Sequence, residues 1–286
     1  MKTRREKLLD GLDISRQMGA EIGPLGRPLV SKSDGTIIYV DYADTATLRR
    51  KYAQDSFVDA SQIQVDAVWG AQTLEQAISS FTQSTQSKHL AALDYVIASH
   101  VIEHVPDVIS WLQEIRSVLK PGGELRLAVP DRRFTFDYLR RNSDLPSVLN
   151  AYVNKARRPC TQCILVFCIN EVAVDVTDAW AGKLDESILK TKHAHTLEGA
   201  LAVAKDALDN GTYHDVHCWT FTPASLANLF AQLAQHQLLD FACVNFHDTE
   251  FNEIEFFLAL RVCDDLAEKV ESWKKVASTA KDLMRN

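Results

Sequence analysis

Glycine, proline and long apolar runs are all scarce in this chain, and each scarcity removes a class of protein. Eleven glycines and eight prolines among 286 residues are too few for a collagen-like fibre or a low-complexity linker. The 46% of hydrophobic residues is too high for a disordered chain. The longest apolar run, Cys163 to Ile169, is far too short to span a bilayer. The basic start, Lys2, Arg4, Arg5 and Lys7, leads into Leu8-Leu9-Asp10-Gly11-Leu12 and not into an apolar signal core. Positive charge is also in deficit. With 31 Lys plus Arg against 38 Asp plus Glu, the formal charge of -7 removes the long-range attraction to phosphate backbones. We expect a cytoplasmic protein with neither a nucleic-acid nor a membrane partner. No second Cys-x-x-Cys completes the pair Cys160 and Cys163, so the six cysteines read as reduced thiols and no metal site is expected.

What is present is an alternation of short β-branched runs and amphipathic stretches. Strands are expected at 17–23, 36–41, 64–69 and 93–98, with a helix continuing from Leu74 to Ile78. Only 12 residues separate Gly23 from Thr36, near the minimum for a crossover between parallel strands, so any helix there is very short. Val108, Trp111, Leu112, Ile115 and Leu119 fall at helical spacing behind Pro106, and Lys120-Pro121-Gly122-Gly123 stops the helix before a strand at 124–129. A helix at 223–235 and strands at 241–246 and 254–262 close the pattern. Between Asp131 and Trp219 lie nearly ninety residues with helices expected at 149–157 and 197–208. Over 161–180 the four-residue spacing of Ile164, Cys168, Val172 and Val176 favours helix, while the β-branched content favours strand. We read a core of about 17–131 and 220–262, an inserted helical cap of about 132–219, and a solvated amphipathic helix over 264–286.

Four motifs give this order a resemblance. Glu21-Ile22-Gly23-Pro24-Leu25-Gly26, Asp41 at the end of the second strand, Ala98-Ser99-His100-Val101-Ile102-Glu103-His104-Val105 after the fourth, and Leu119-Lys120-Pro121-Gly122-Gly123 before the fifth are similar to class I S-adenosylmethionine-dependent methyltransferases, in particular the methyltransferase type 11 group. The resemblance implies a doubly wound, Rossmann-like, seven-stranded α/β sheet with its last strand antiparallel, in a single domain. It implies S-adenosyl-L-methionine as cofactor and S-adenosyl-L-homocysteine as product. A strand-end glycine lets backbone approach the cofactor, and a carboxylate about 20 residues on partners ribose hydroxyls. Glu21, Gly23, Pro24, Leu25, Asp41, Tyr42, Gln72, Thr73, Ser99 and His100 are the cofactor-binding candidates. Leu25 and Arg27 stand where the family's second and third glycines belong.

Methyl transfer needs alignment and, for a hydroxyl acceptor, removal of a proton. His217, Asp131 and His104 are the candidate bases, and Arg133, His214 and Trp219 the candidate acceptor contacts. The acceptor is expected to be a small polar molecule, such as a saccharide. His100-Val101-Ile102-Glu103-His104 also fits an inverted zinc-peptidase pattern, but that motif requires a helix where this sequence reads as the end of a strand. Two alternatives stand beside the enzyme reading: a binding module that keeps the fold without catalysis, and a nicotinamide-dependent oxidoreductase, whose ribose carboxylate is similar.

Overall fold

The computed structural model describes residues 2–84 and 93–281. A five-residue helix, α1 (Arg4–Leu8), is closed by a reciprocal capping box between Thr3 and Glu6. Then follow β1 (Met18–Ile22), β2 (Thr36–Asp41), α2 (Thr45–Lys51), β3 (Ala67–Val68), α3 (Leu74–Ser84), β4 (Leu93–Ser99), α4 (Val108–Val118) and β5 (Leu119–Pro130). The insert holds α5 (Leu145–Val153), α6 (Thr161–Asn170), α7 (Val176–Trp180), α8 (Glu186–Leu189) and α9 (Leu197–Asp209). Finally α10 (Pro223–Gln235), β6 (Phe241–His247), β7 (Glu255–Val262) and α11 (Leu266–Thr279) complete the chain. Among the described residues no helix is long and apolar enough to cross a membrane.

The seven strands form one sheet in the order β3-β2-β1-β4-β5-β7-β6, with β7 antiparallel to both its neighbours and the other pairings parallel. A parallel sheet must be covered on both faces, which is why β1 and β4 read as nearly continuous buried runs. On one face α3, α4, α10 and α11 build the main core. Asp107 caps α4 by accepting from the Ser110 amide at 3.0 Å, and Ile109, Leu112, Ile115 and Trp111 turn inward. The helix over 264–286 was expected to be solvated. Instead Val270, Trp273 and Val276 of α11 enter this core, the Trp273 indole donating to the Phe241 carbonyl at 2.9 Å; residues 282–286 lie outside the described residues.

On the other face no helix forms between Gly23 and Thr36. Cover comes from the N-terminal segment: Leu9, Leu12, Ile14 and Leu29 pack on Val30, Ile37, Tyr39, Tyr95 and Ile97, and Leu8 packs on Ala128 and Phe257. The third strand is two residues long, not the six of 64–69, because the Val65 amide is taken by the Thr45 hydroxyl at 2.9 Å and not by a ladder partner. The helix placed at 149–157 runs four residues earlier, since Asp144 caps it and Pro146 suits its first turn. The ambiguous stretch resolves as helices α6 and α7. Ile164 and Cys168 of α6 meet Ala200 and Ala204 of α9 in a small apolar cluster belonging to the insert alone.

Candidate active site

The carboxyl ends of the parallel strands carry two adjoining constellations. The first surrounds a cavity of about 350 Å³, lined by Glu21, Gly23, Pro24, Ser99 and His100 together with Arg4, Arg27 and Glu255. Gly23 has φ +66°, and a Cβ there would lie 3.3 Å from Val101 Cγ2, so the turn after β1 is free of side chain on the surface that meets the turn after β4. His100, with φ +53°, directs Nε2 to Glu255 at 2.8 Å. Arg4 reaches across the same cavity, donating to Glu255 at 2.7 Å and to the Ser99 hydroxyl. Burial pushes Glu255 up, but His100 and Arg4 outweigh it and hold the carboxyl below its usual range.

Several cofactor candidates perform structural tasks as well. The Glu21 carboxylate turns into the loop and accepts from the Leu29 and Val30 amides at 2.9–3.2 Å. Burial dominates those bonds and pushes Glu21 up to about 7. Leu25, where a glycine was displaced, sits at φ +46° and does not line the cavity. Gln72 donates to the Val68 carbonyl at 2.9 Å, and Thr73 exchanges bonds with Gln76 at the start of α3. Asp41 ends β2 and accepts from the Tyr42 amide at 2.7 Å; burial pushes it up to about 6, with Asp215 adding to the rise and Lys51 opposing it.

The second constellation joins the loop after β4 to the exit of the insert. His217 Nδ1 lies 2.5 Å from Asp137 Oδ2, and Arg140 donates to the other oxygen of that carboxylate at 2.7 Å. A carboxylate can only accept, so the shared proton sits on Nδ1 and leaves Nε2 with a lone pair. Burial raises Asp137, but His217 and Arg140 outweigh it and hold it below the usual carboxylate range. His104 differs: its Nδ1 stands 3.0 Å from Asp215 as an ion-pair contact off hydrogen-bond geometry, and Lys51 also pairs Asp215 at 3.0 Å. Burial works against charge on His104, yet Asp215 and Glu103 prevail and raise it. The two imidazoles meet edge to face at 4.6 Å, with Phe136 and Phe167 against His217.

Other candidates fall elsewhere. Asp131 is fully enclosed: Arg133 clamps it through three contacts of 2.6–3.1 Å, and Thr249 donates at 2.9 Å. It forms a turn and has no open path to an acceptor, and Arg133 is spent on it. His214 pairs with Asp206 of α9 at 2.8 Å. The Trp219 indole donates to the Val105 carbonyl at 2.6 Å, while one side of the residue lines a second cavity, of about 580 Å³, with Arg140, Arg158, Asn150 and Asn154. Asp137, Arg140 and Lys51 escaped sequence reading, because their roles depend on pairings across the insert that no local spacing announces.

A parallel sheet closed by an antiparallel β7, with a bare glycine turn after β1 and a carboxylate ending β2, has the doubly wound methyltransferase fold and differs from an all-parallel nicotinamide-binding sheet. Residues 16–125 match the family model described as Methyltransferase domain, in keeping with the resemblance to class I S-adenosylmethionine-dependent methyltransferases. The resemblance implies S-adenosylmethionine as methyl donor and S-adenosylhomocysteine as product, and the match is consistent with both. Similar solved structures include the CcbJ methyltransferase from Streptomyces caelestis, 11% identical over 91% of this chain and 94% of that one, with a TM-score of 0.44. Another is the 1,6-didemethyltoxoflavin-N1-methyltransferase of Burkholderia thailandensis, solved with 1,6-didemethyltoxoflavin and S-adenosylhomocysteine, 11% identical over 91% and 76% with a TM-score of 0.41. The CurJ carbon methyltransferase aligns over 90% of this chain at 12% identity and a TM-score of 0.37, and this chain spans about half of it, 51%. Likenesses this remote carry no weight toward substrate. No curated protein matches the chain.

Proposed function

We propose that this methyltransferase methylates an oxygen of a small polar acceptor, a saccharide hydroxyl being the leading case, with His217 as the base. The observation that carries the reading is the buried chain Arg140–Asp137–His217, which fixes the imidazole's tautomer and leaves Nε2 free beside the strand ends. The cofactor fits the residues around it: the bare turn at Gly23 admits backbone contact with its methionine portion, and Asp41 offers ribose an acceptor. When bound, it supplies a methyl group already activated on a sulfonium centre. The chain's own tasks are then to align the acceptor, exclude water and take its proton on His217 Nε2. The arginine- and asparagine-walled cavity of about 580 Å³ suits a ligand rich in hydroxyls, and Arg140 joins that wall to the Asp137 relay. His104 with Asp215 polarises the same corner, and Asp131 keeps the turn that supports it.

The test is production of S-adenosylhomocysteine from a panel of hydroxylated acceptors. His217→Ala is expected to lower turnover at least a hundredfold, and Asp137→Asn at least tenfold, with affinity for S-adenosylhomocysteine unchanged. Undiminished turnover in folded His217→Ala would remove the base assignment. Cofactor binding without transfer to any acceptor would favour the binding-module alternative.

A further inference from the structure

We propose that Glu103, His104 and His217 form a site for one borderline divalent cation of the zinc type. One donor atom from each, the Glu103 carboxylate and two ring nitrogens, lies within 4.8 Å of the other two. Both oxygens of Glu103 are buried and make no hydrogen bond, although the residue is 1% exposed. A carboxylate held out of water without donors is costly and calls for a positive partner. The nearest are His100 Nδ1, at 3.8 Å, and His104 Nε2, at 4.0 Å, neither within hydrogen-bond reach.

The imidazoles are oriented as metal-binding histidines commonly are. His217 turns Nδ1 to Asp137 at 2.5 Å, which leaves Nε2 for an ion, and His104, whose Nδ1 stands 3.0 Å from Asp215 off hydrogen-bond geometry, presents Nε2 to Glu103 at 4.0 Å. Those carboxylates are held in turn by Arg140 and Lys51. The two segments are stapled together. The Trp219 amide donates to the Glu103 carbonyl at 3.1 Å, the Cys218 thiol to the His104 carbonyl at 3.6 Å, and the Trp219 indole to the Val105 carbonyl at 2.6 Å. Tetrahedral ligands about 2.0 Å from an ion stand about 3.3 Å apart, a contraction that side-chain rotation supplies. Two imidazoles and one carboxylate suit Zn²⁺ or Co²⁺ over Mg²⁺ or Ca²⁺, and three protein ligands leave a coordination position open.

This is not the site the His-x-x-Glu-His spacing suggests. His100 turns to Glu255, and the third ligand comes from the far end of the insert. It also stands apart from the base assignment, because an ion on His217 Nε2 occupies the lone pair a base needs. The cation-loaded and proton-accepting states exclude each other, and the ion acts as an inhibitor.

The experiment uses the full chain after chelator treatment and dialysis. Titration with Zn²⁺ by calorimetry, and with Co²⁺ by its visible absorption, is expected to give one ion per chain at micromolar affinity or tighter. Glu103→Gln and His217→Ala should each weaken binding at least tenfold, and His236→Ala, on the exposed end of α10, should not. Retained S-adenosylhomocysteine affinity certifies that each variant is folded, with His104→Asn as a replacement should Glu103→Gln fail. Absence of stoichiometric binding, or binding indifferent to these substitutions, overturns the site. Zn²⁺ is expected to suppress transfer and a chelator to restore it. Binding with a rise in transfer would leave the site standing and remove His217 as the base.

Discussion

The single carboxylates near the strand ends differ in their environments, and that separates what each can do. Asp41, pushed up to about 6, is neutral in a large fraction of molecules near that pH. If the ionised form accepts from ribose hydroxyls, affinity for S-adenosylhomocysteine is level above about pH 7 and falls roughly tenfold per unit below about 6. A flat calorimetric profile would exclude that role; Asp41→Ala should abolish binding in a protein that remains folded. Glu21 is a different case. Its folded value of about 7 exceeds the 4.5 of an unfolded chain, so its contribution to stability is fully present below 4.5 and is lost as the pH rises through 7. Glu21→Gln is therefore expected to stabilise the protein at pH 8 by on the order of 2 kcal/mol relative to its effect at pH 4, as denaturant midpoints will read. The groups facing Glu21 are Arg4, Arg5, Tyr39 and Tyr95.

At the scale of elements, the constraint on β1 is close approach. Gly19 lies under the ring of Tyr95 on β4, where an added Cβ would stand 2.1 Å from Cε2. Tyr95 is fully buried and has no room to swing aside, so Gly19→Ala is expected to cost about 1–3 kcal/mol, seen as a lower urea midpoint at unchanged slope. The strands β1, β2 and β4, the helix α4 with its cap and the β6–β7 pair were legible in sequence because each carries its own periodicity or stop. The helices α1 and α2 were not, being five and seven residues with too few apolar positions to show a period. The role of α11 was misread for a related reason. Its polar residues outnumber the apolar ones, and the buried stripe of Val270, Trp273 and Val276 is decided by α10 across from it. In the candidate site, Gly23 and Asp41 stood out by position at strand ends, and His217 by its place where the insert returns to the core. Asp137 and Arg140 did not, because a pairing across 80 residues leaves no local mark.

On the scale of the whole molecule, the chain is a methyltransferase sheet with a helical insert that ends at the candidate base. The insert has an apolar cluster of its own and returns to the core at Val216 to Phe221, where it is bound to the loop after β4. A ligand seated in the cavity at the ends of β1 and β4 binds the folded state alone. S-adenosylhomocysteine at a hundred times its dissociation constant should therefore stabilise the chain by about 2.7 kcal/mol, and raise the melting temperature by an amount that grows with its concentration. A melting temperature indifferent to the compound would contradict the cofactor site as described.

The cover supplied by residues 4–14 also sets an order of events. Arg4 finds Glu255 at a separation of 251 residues, and Leu8 rests on Phe257 of the same late strand. Leu9, Leu12 and Ile14 can settle on β2 and β4, but Arg4 and Leu8 lack Glu255 and Phe257 until β7 has been made. Contacts so distant along the chain form late, and the wall of the cofactor cavity forms with them. Ribosome-bound chains halted before β7 should lose residues 4–8 to a protease that spares them in the finished protein, so that a segment made before the sheet is put away after it.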